Sequence, residues 1–125
     1  DGPGGSITVL PFRQDHGDIY SLGFRVRNFA YSCDLSGIPD GSREAVSGLD
    51  TWVLDALRPT PHPSHLSLSE ALELVDELQP RHAVLTNLHI DLDYAQTDAM
   101  TPDHVRPAFD GLQIDITAGE IISPR

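Results

Sequence analysis

A capped amphipathic helix between two short apolar segments most constrains the fold of this 125-residue chain. Ser67 and Glu70 form a capping box, and apolar residues then recur at helical spacing up to Leu78, before a proline. The apolar segments, Thr51–Asp55 (TWVLD) and 83–86 (AVLT), have the length and composition of buried central strands. Strands on both sides of one helix predict an α/β layered domain.

Three further segments have the side-chain pattern of strands. Residues 6–12 are rich in β-branched side chains, and residues 23–33 alternate apolar with polar side chains. Residues 111–117 alternate with a period of two. Because the chain has no internal repeat and no linker-like stretch, we expect one unit that covers residues 1–125.

The acidic composition argues against several classes of function. The 19 acidic residues outnumber the 8 basic ones, so the formal net charge is −11, and a nucleic-acid partner is disfavoured. No apolar run approaches the ~20 residues of a membrane span, and the first residues do not have the pattern of a signal peptide. The single cysteine, Cys33, excludes an internal disulfide. We therefore expect a soluble cytoplasmic domain with no membrane partner.

Histidines are frequent in this chain, and several lie where predicted strands end. The chain has six histidines, and imidazole and carboxylate groups are the usual ligands of zinc, manganese and iron. His16 and Asp34 each follow a predicted strand, His62 and His65 precede the helix, and His89 follows the AVLT segment. A metal site assembled from loops at one edge of an α/β sheet would have this layout.

Each of these positions also has a structural interpretation. Asp34 could simply begin a turn, and the two histidines before the helix could pack against their own loop. The acidic residues that follow His89 could cap the next segment. Strand alternation predicts that the side chain of Cys33 points away from Asp34, as a buried structural thiol.

Six segments of the chain match the pattern of a known family. They are PFRQDHG (11–17), LGFR (22–25), YSCD (31–34), LDALR (54–58), PHPSHL (61–66) and AFDGL (108–112). These segments resemble the second half of the metallo-β-lactamase-fold hydrolases. The branch that they resemble is the cyclic-phosphate phosphodiesterases of phosphonate utilisation, which in turn resemble the tRNA 3′-processing endonucleases. The resemblance implies the C-terminal half of a four-layer αββα sandwich.

The resemblance also implies roles for individual residues. His16 corresponds to a histidine metal ligand, Asp34 to an aspartate that bridges two metal ions, and His65 to a histidine that assists proton transfer to the leaving oxygen. The implied cofactors are two divalent ions, zinc, manganese or iron. The implied reaction is hydrolysis of a small, cyclic phosphate ester by a hydroxide held between the two ions.

One motif departs from the family pattern. The family has Thr-His after its last site strand, whereas this chain has Thr86 and Asn87. We expect His89, two positions further on, to supply the missing metal ligand. We assign contacts with the substrate to His62 and Asn87.

A larger departure is that nothing in the chain matches the family's principal metal motif, His-x-His-x-Asp-His. The chain also begins at Asp1 without a methionine, so we expect a C-terminal half that needs an N-terminal half carrying that motif. A homodimer through the exposed sheet face is an alternative. Two further functional alternatives are a non-catalytic half-domain and a fragment of an RNA-processing nuclease.

Overall fold

The fold is built around one six-stranded sheet, with helices packed on one of its faces. The structure is a computed structural model that describes residues 2–124, so Asp1 and Arg125 of the expected unit lie outside the described residues. The sheet has the strand order β1-β2-β3-β4-β5-β6. Its strands are β1 (Leu10–His16), β2 (Ile19–Val26), β3 (Phe29–Ser32), β4 (Thr51–Asp55), β5 (His82–Thr86) and β6 (Val105–Pro107).

The remaining elements are short. Helix α1 covers Leu68–Leu78, helix α2 covers Tyr94–Met100, and a 3-10 helix covers Asp40–Val46. Strands β7 (Ile114–Asp115) and β8 (Glu120–Ile121) form a separate two-stranded sheet. Within residues 2–124, no helix combines the length and hydrophobicity that a membrane span needs. The mixed α/β class expected from the sequence is confirmed.

The directions of the strands bring four strand ends to one edge of the sheet. Strands β3, β4, β5 and β6 are parallel to one another, whereas β2 is antiparallel to both β1 and β3. Strand β1 therefore runs in the same direction as β3, β4 and β5. The C-terminal ends of these four strands meet at the same edge, where side chains from distant parts of the sequence can form a site.

Helix α1 begins and ends where its local sequence predicts. The Ser67 side chain accepts a hydrogen bond from the Glu70 backbone N–H, and the Glu70 carboxylate accepts one from the Ser67 N–H, at 2.8 Å. Leu68, Ala71 and Val75 are buried in the core that covers one face of the sheet. The predicted helix is thus confirmed, since both its cap and its apolar face lie within one contiguous segment.

Two strand predictions have the wrong boundaries. The first strand is β1, which begins four residues later than predicted, and the preceding residues 6–9 are exposed. Residues 23–33 are not one strand, because the chain reverses between β2 and β3 at Arg27, whose φ is 54°. The Arg25 guanidinium stabilises this turn by donating to the Arg27 carbonyl at 2.6 Å. Alternation continues across such a hairpin and therefore does not reveal the turn.

The predicted strand at residues 111–117 is also mostly wrong, since only Ile114–Asp115 pairs as a strand. The Asp115 carboxylate accepts hydrogen bonds from the Thr117 and Ala118 backbone N–H groups, at 2.8 and 3.1 Å. An aspartate that binds the backbone two and three residues ahead forms a tight turn. This turn ends the strand.

The sheet face opposite α1 is only partly covered. The C-terminal segment covers it over β4, where the Thr51 hydroxyl donates to the Gly119 carbonyl at 3.1 Å. On β2 and β3, four large apolar side chains of this face remain 43 to 60% exposed. We call them the apolar stripe: Tyr20, Leu22, Phe24 and Tyr31. An apolar surface of this kind is typical of a face that packs against another protein segment.

We predict that a protein consisting of residues 1–125 alone self-associates through the apolar stripe. Replacing Leu22 and Phe24 together by lysine should reduce the association, because the charged side chains lose solvation at a protein contact. The matched control replaces Ile90 and Met100 by lysine, since these side chains are 89 and 71% exposed and lie outside the sheet. Analytical ultracentrifugation measures the association. A chain that stays monomeric at high concentration would contradict the prediction.

Candidate metal centre

Polar side chains converge at the sheet edge where β1, β3, β4 and β5 end. His16 is the last residue of β1 and Asp55 is the last residue of β4. Asp34 follows β3 by two residues, and Asn87 directly follows β5. His65 comes from the loop before α1 and lies among them, as its contacts below show.

The centre of this cluster is a hydrogen bond between Asp55 and His65. The Asp55 side chain is fully buried, and one of its carboxylate oxygens lies 2.7 Å from His65 Nδ1. That oxygen also accepts the Leu35 backbone N–H, at 3.3 Å. Because an ionised carboxylate only accepts hydrogen bonds, this contact places the ring proton of neutral His65 on Nδ1 and leaves a lone pair on Nε2.

Asp55 is the residue of this candidate site that sequence reasoning missed. The sequence signal for it was a carboxylate at the end of the otherwise apolar TWVLD strand. A charged side chain is almost never fully buried unless it is paired. An aspartate at the end of a buried strand therefore predicts a partner nearby, here His65.

His16 is oriented by the backbone of the loop that carries His65. Its Nδ1 lies 2.6 Å from the Ser64 carbonyl oxygen. A carbonyl only accepts, so neutral His16 also carries its proton on Nδ1 and presents a lone pair on Nε2. A histidine that binds a metal through one ring nitrogen almost always donates a hydrogen bond from the other ring nitrogen, as His16 does here from Nδ1. The rings of His16 and His65 meet edge to face, with centroids 4.8 Å apart.

Asp34 is the most exposed of the acidic groups in the cluster. Its side chain is 58% exposed, and one carboxylate oxygen lies 3.9 Å from His65 Nδ1. The backbone of Asp34 is left-handed, with φ at 56°. His16 and Asp34, although 18 positions apart in the sequence, both border His65.

The prediction for Cys33 is wrong. Ligand atoms of Cys33, Asp34 and Asp55 all lie within 4.8 Å of one another, so Cys33 points towards the cluster. The left-handed conformation of Asp34 ends the strand alternation on which the prediction depended. The thiol is half-buried and donates to Asp55 at 3.5 Å. Burial first, and then the charges of Asp55 and Asp34, raise the pKa of Cys33 to about 11.

His62 and Asn87 both lie beside His65. The His62 ring centroid is 5.1 Å from that of His65, and Asn87 Nδ2 is 3.5 Å from His65 Nδ1. His62 Nδ1 accepts the Ser64 backbone N–H at 3.2 Å. Burial first, and then the positive charge of Arg58, lower the pKa of His62. Their roles in substrate binding stay predictions.

His89 makes its contacts within its own loop. Its Nδ1 lies 3.0 Å from the Asp91 carboxylate, and the side chain is 53% exposed. Among the described residues, no hydrogen bond, ion pair or ring contact joins His89 to His16, Asp34 or His65. The second acidic residue of this loop, Asp93, caps α2. His89 as a metal ligand stays a prediction.

The donor set partly fits a divalent metal. His16 Nε2 and the Asp34 carboxylate are the nitrogen and oxygen ligands that suit zinc, manganese or iron. The oxygens of Asp55 are already occupied by three donors, so Asp55 fits better as a residue that orients His65. Two donors are fewer than the three protein ligands of an ordinary catalytic zinc site. A complete centre needs His89 or groups beyond this chain.

Three comparisons place the chain among known proteins. A profile of the beta-lactamase superfamily domain matches residues 2–90. A crystal structure of a diphosphatase from the PhnP family is 36% identical with a TM-score of 0.82, over 85% of this chain and 42% of that one. The short form of human tRNase Z is 22% identical with a TM-score of 0.67, over 88% of this chain and 43% of that one. At this identity, the second structure supports the fold alone.

A curated sequence relative covers a similar part of the chain. It is an octanoyltransferase from Porphyromonas gingivalis, 26% identical over 110 residues. The match covers 86% of this chain but only 22% of that protein. The chain therefore spans about a fifth of the curated relative and less than half of each of the two solved structures.

We predict opposite ring tautomers for His16 and His62 in the metal-free full-length protein. Nitrogen-15 NMR of the rings should find the proton of neutral His16 on Nδ1, because it donates to a carbonyl. The proton of neutral His62 should be on Nε2, because Nδ1 accepts a backbone N–H. Ser64→Ala is the matched control, since it keeps both backbone groups and should leave both tautomers unchanged. A His62 proton on Nδ1 would contradict the prediction.

Proposed function

The chain belongs to the beta-lactamase superfamily, and from this premise we propose that it is the C-terminal half of a metal-dependent phosphodiesterase that acts on a small phosphate ester. The observation that carries the proposal is the oriented cluster of His16, Asp34, Asp55 and His65 at one sheet edge. The similarity to a PhnP-family diphosphatase supports a substrate that contains a phosphoryl group.

We assign His16, Asp34 and His89 as metal ligands. The chemistry that two bound divalent ions supply is a lowered pKa of water and neutralisation of charge on the phosphoryl oxygens. The Ser64 carbonyl holds the His16 ring so that Nε2 is available as a ligand. The exposed carboxylate of Asp34 has oxygens available for two ions, whereas those of Asp55 already accept hydrogen bonds.

We assign His65 to proton transfer. Its Nδ1–H bond to the buried Asp55 carboxylate orients the ring, and a ring that acts as an acid carries its second proton on Nε2. Nε2 is then the atom that delivers a proton to the leaving oxygen. The same carboxylate holds the Leu35 backbone N–H, so the ring is oriented by a rigid part of the fold.

The complete enzyme, in this proposal, contains a second half that supplies the missing metal ligands on a His-x-His-x-Asp-His motif. Residues 1–125 form a single half-domain, and the apolar stripe is the surface that the other half covers. The stripe lies on the sheet face opposite α1, so a second sheet can pack there without displacing the helices. This packing would produce the layers of a sandwich.

A second candidate function is that of a non-catalytic half-domain. It is favoured by the position of His89, whose ring binds Asp91 in its own loop. It is also favoured by Asn87, because a neutral amide is a weak metal ligand. An RNA-processing nuclease is less well supported, because the net charge of −11 repels a polyanionic substrate.

We predict that His16→Ala and Asp34→Asn each lower the metal content of the full-length protein. Asparagine tolerates the left-handed backbone at position 34, so the fold should be retained. The rate of hydrolysis of bis(4-nitrophenyl) phosphate should fall by about 100-fold or more. Even substitution of a residue that only orients a metal ligand lowers metal affinity or activity by about 10- to 100-fold. Elemental analysis and initial rates measure the two effects.

The control for these variants is His104→Ala, because His104 is exposed and lies between α2 and β6, away from the cluster. Normal turnover in the His16 and Asp34 variants would contradict the assignment. A wild-type protein with one ion or none would favour the non-catalytic half-domain.

We predict that the effect of His65→Ala depends on the leaving group. For a phosphodiester that releases an alkyl alcohol, kcat should fall by about 10²- to 10⁴-fold, because an alkoxide needs a proton to leave. For one that releases 4-nitrophenolate, the loss should be much smaller, since this group leaves without a proton. Asp55→Asn should show the same trend, less strongly. An equal loss with both substrates, or a loss of metal, would contradict a role in proton transfer.

A further inference from the structure

His62 sits in a loop whose backbone is closed at its base. The Leu57 N–H donates to the Leu66 carbonyl at 2.9 Å. Inside the loop, the Arg58 guanidinium donates to the Thr60 and Pro61 carbonyls at 3.1 and 2.7 Å. Pro61 also precedes His62 directly, and a second proline follows it. His62 is therefore held by a stiff segment, which reduces the entropy lost when its side chain binds a ligand.

The loop backbone also determines which ring nitrogen of His62 carries the proton. The Ser64 N–H, which can only donate, lies 3.2 Å from His62 Nδ1, and the Ser64 hydroxyl lies 3.4 Å from the same atom. Nδ1 is thus an acceptor, and the proton of the neutral ring is on Nε2. Burial of the ring and the positive charge of Arg58 lower the pKa of His62, which favours this neutral form.

This arrangement is the reverse of that at the two neighbouring histidines. His16 and His65 donate from Nδ1 and present a lone pair on Nε2, which suits a metal or a proton. In neutral His62 the Nε2 atom carries a proton instead of a lone pair. His62 could therefore bind a metal or take up a proton through Nε2 only if the proton first moved to Nδ1, which would break the contact of Nδ1 with the Ser64 N–H. Its ring centroid lies 5.1 Å from that of His65, beside the cluster.

We propose that His62 is a specificity-determining residue that donates a hydrogen bond from Nε2 to an anionic oxygen of the substrate's phosphoryl group. This inference rests on the proposed function and adds to it the group that recognises the phosphate. Asp34 and Asp55 place negative charge close to the site, so a hydrogen-bond donor beside them offsets part of their repulsion of an anionic substrate. A neutral N–H attracts the anionic oxygen without competing for the metal ligands.

Two substitutions separate hydrogen-bond donation from the other roles of a histidine. His62→Gln places an amide N–H at about the reach of Nε2 but cannot transfer a proton at neutral pH. His62→Leu has a similar volume and no donor. Because the side chain lies in an exposed loop and only partly buries its ring, both variants should fold, and circular dichroism checks this.

The test measures the kinetics of the metal-loaded full-length protein with bis(4-nitrophenyl) phosphate, and its binding of inorganic phosphate by calorimetry. In His62→Leu, KM and the phosphate Kd should rise about tenfold or more, as expected for a lost hydrogen bond to a charged group, while kcat falls less than threefold. His62→Gln should restore most of the lost affinity. Metal content should be the same in all three proteins.

Three outcomes would overturn the inference. They are unchanged KM and phosphate affinity in His62→Leu, a His62→Gln variant as impaired as His62→Leu, and a loss of metal in either variant. Failure of the proposed function is a separate result, in which the wild-type protein holds no metal and does not hydrolyse the diester. Phosphate binding by the wild type, compared with the two variants, still tests the inference in that case.

Discussion

The buried carboxylate of Asp55 is the interaction on which the arrangement of the site depends. Removing a carboxylate from water costs on the order of several kcal/mol unless hydrogen-bond donors replace the lost solvation. Here the donors come from Leu35 and Cys33, which follow β3, and from His65, which precedes α1. One charge therefore holds together three segments that are separate in the sequence. Each of these segments also contributes to the cluster around His65.

The backbone of one residue, Ser64, determines which ring nitrogen carries the proton in two histidines. Its carbonyl accepts from His16 Nδ1, and its N–H donates to His62 Nδ1. Because a carbonyl and an amide N–H have opposite polarity, the two neutral rings carry their protons on opposite nitrogens. A single stiff loop thus provides a lone pair for a metal at one ring and a donor for an anion at the other.

The elements that the sequence predicted correctly depend on local signals. Helix α1 has its cap and its apolar face within one segment, and strands β4 and β5 are continuous apolar runs. Two errors arose where a single residue changes the direction of the chain, at Arg27 and at Asp34 with their left-handed backbones. Alternation between the two sheet faces cannot reveal such a residue, because it reports only whether a side chain is polar, and arginine and aspartate are polar in strands and in turns alike. For this reason the hairpin between β2 and β3 was not predicted, and the predicted orientation of the Cys33 side chain was wrong.

The sequence by itself determined the α/β class, the position of the main helix, and the family to which the chain belongs, since all three can be recognised from short segments and their order along the chain. Only the tertiary structure decided that His65 pairs with Asp55, that His16 and His62 have opposite tautomers, and that His89 binds within its own loop. These depend on which backbone and side-chain groups face each ring. That in turn depends on parallel strand pairing, which brings together groups that are far apart along the chain.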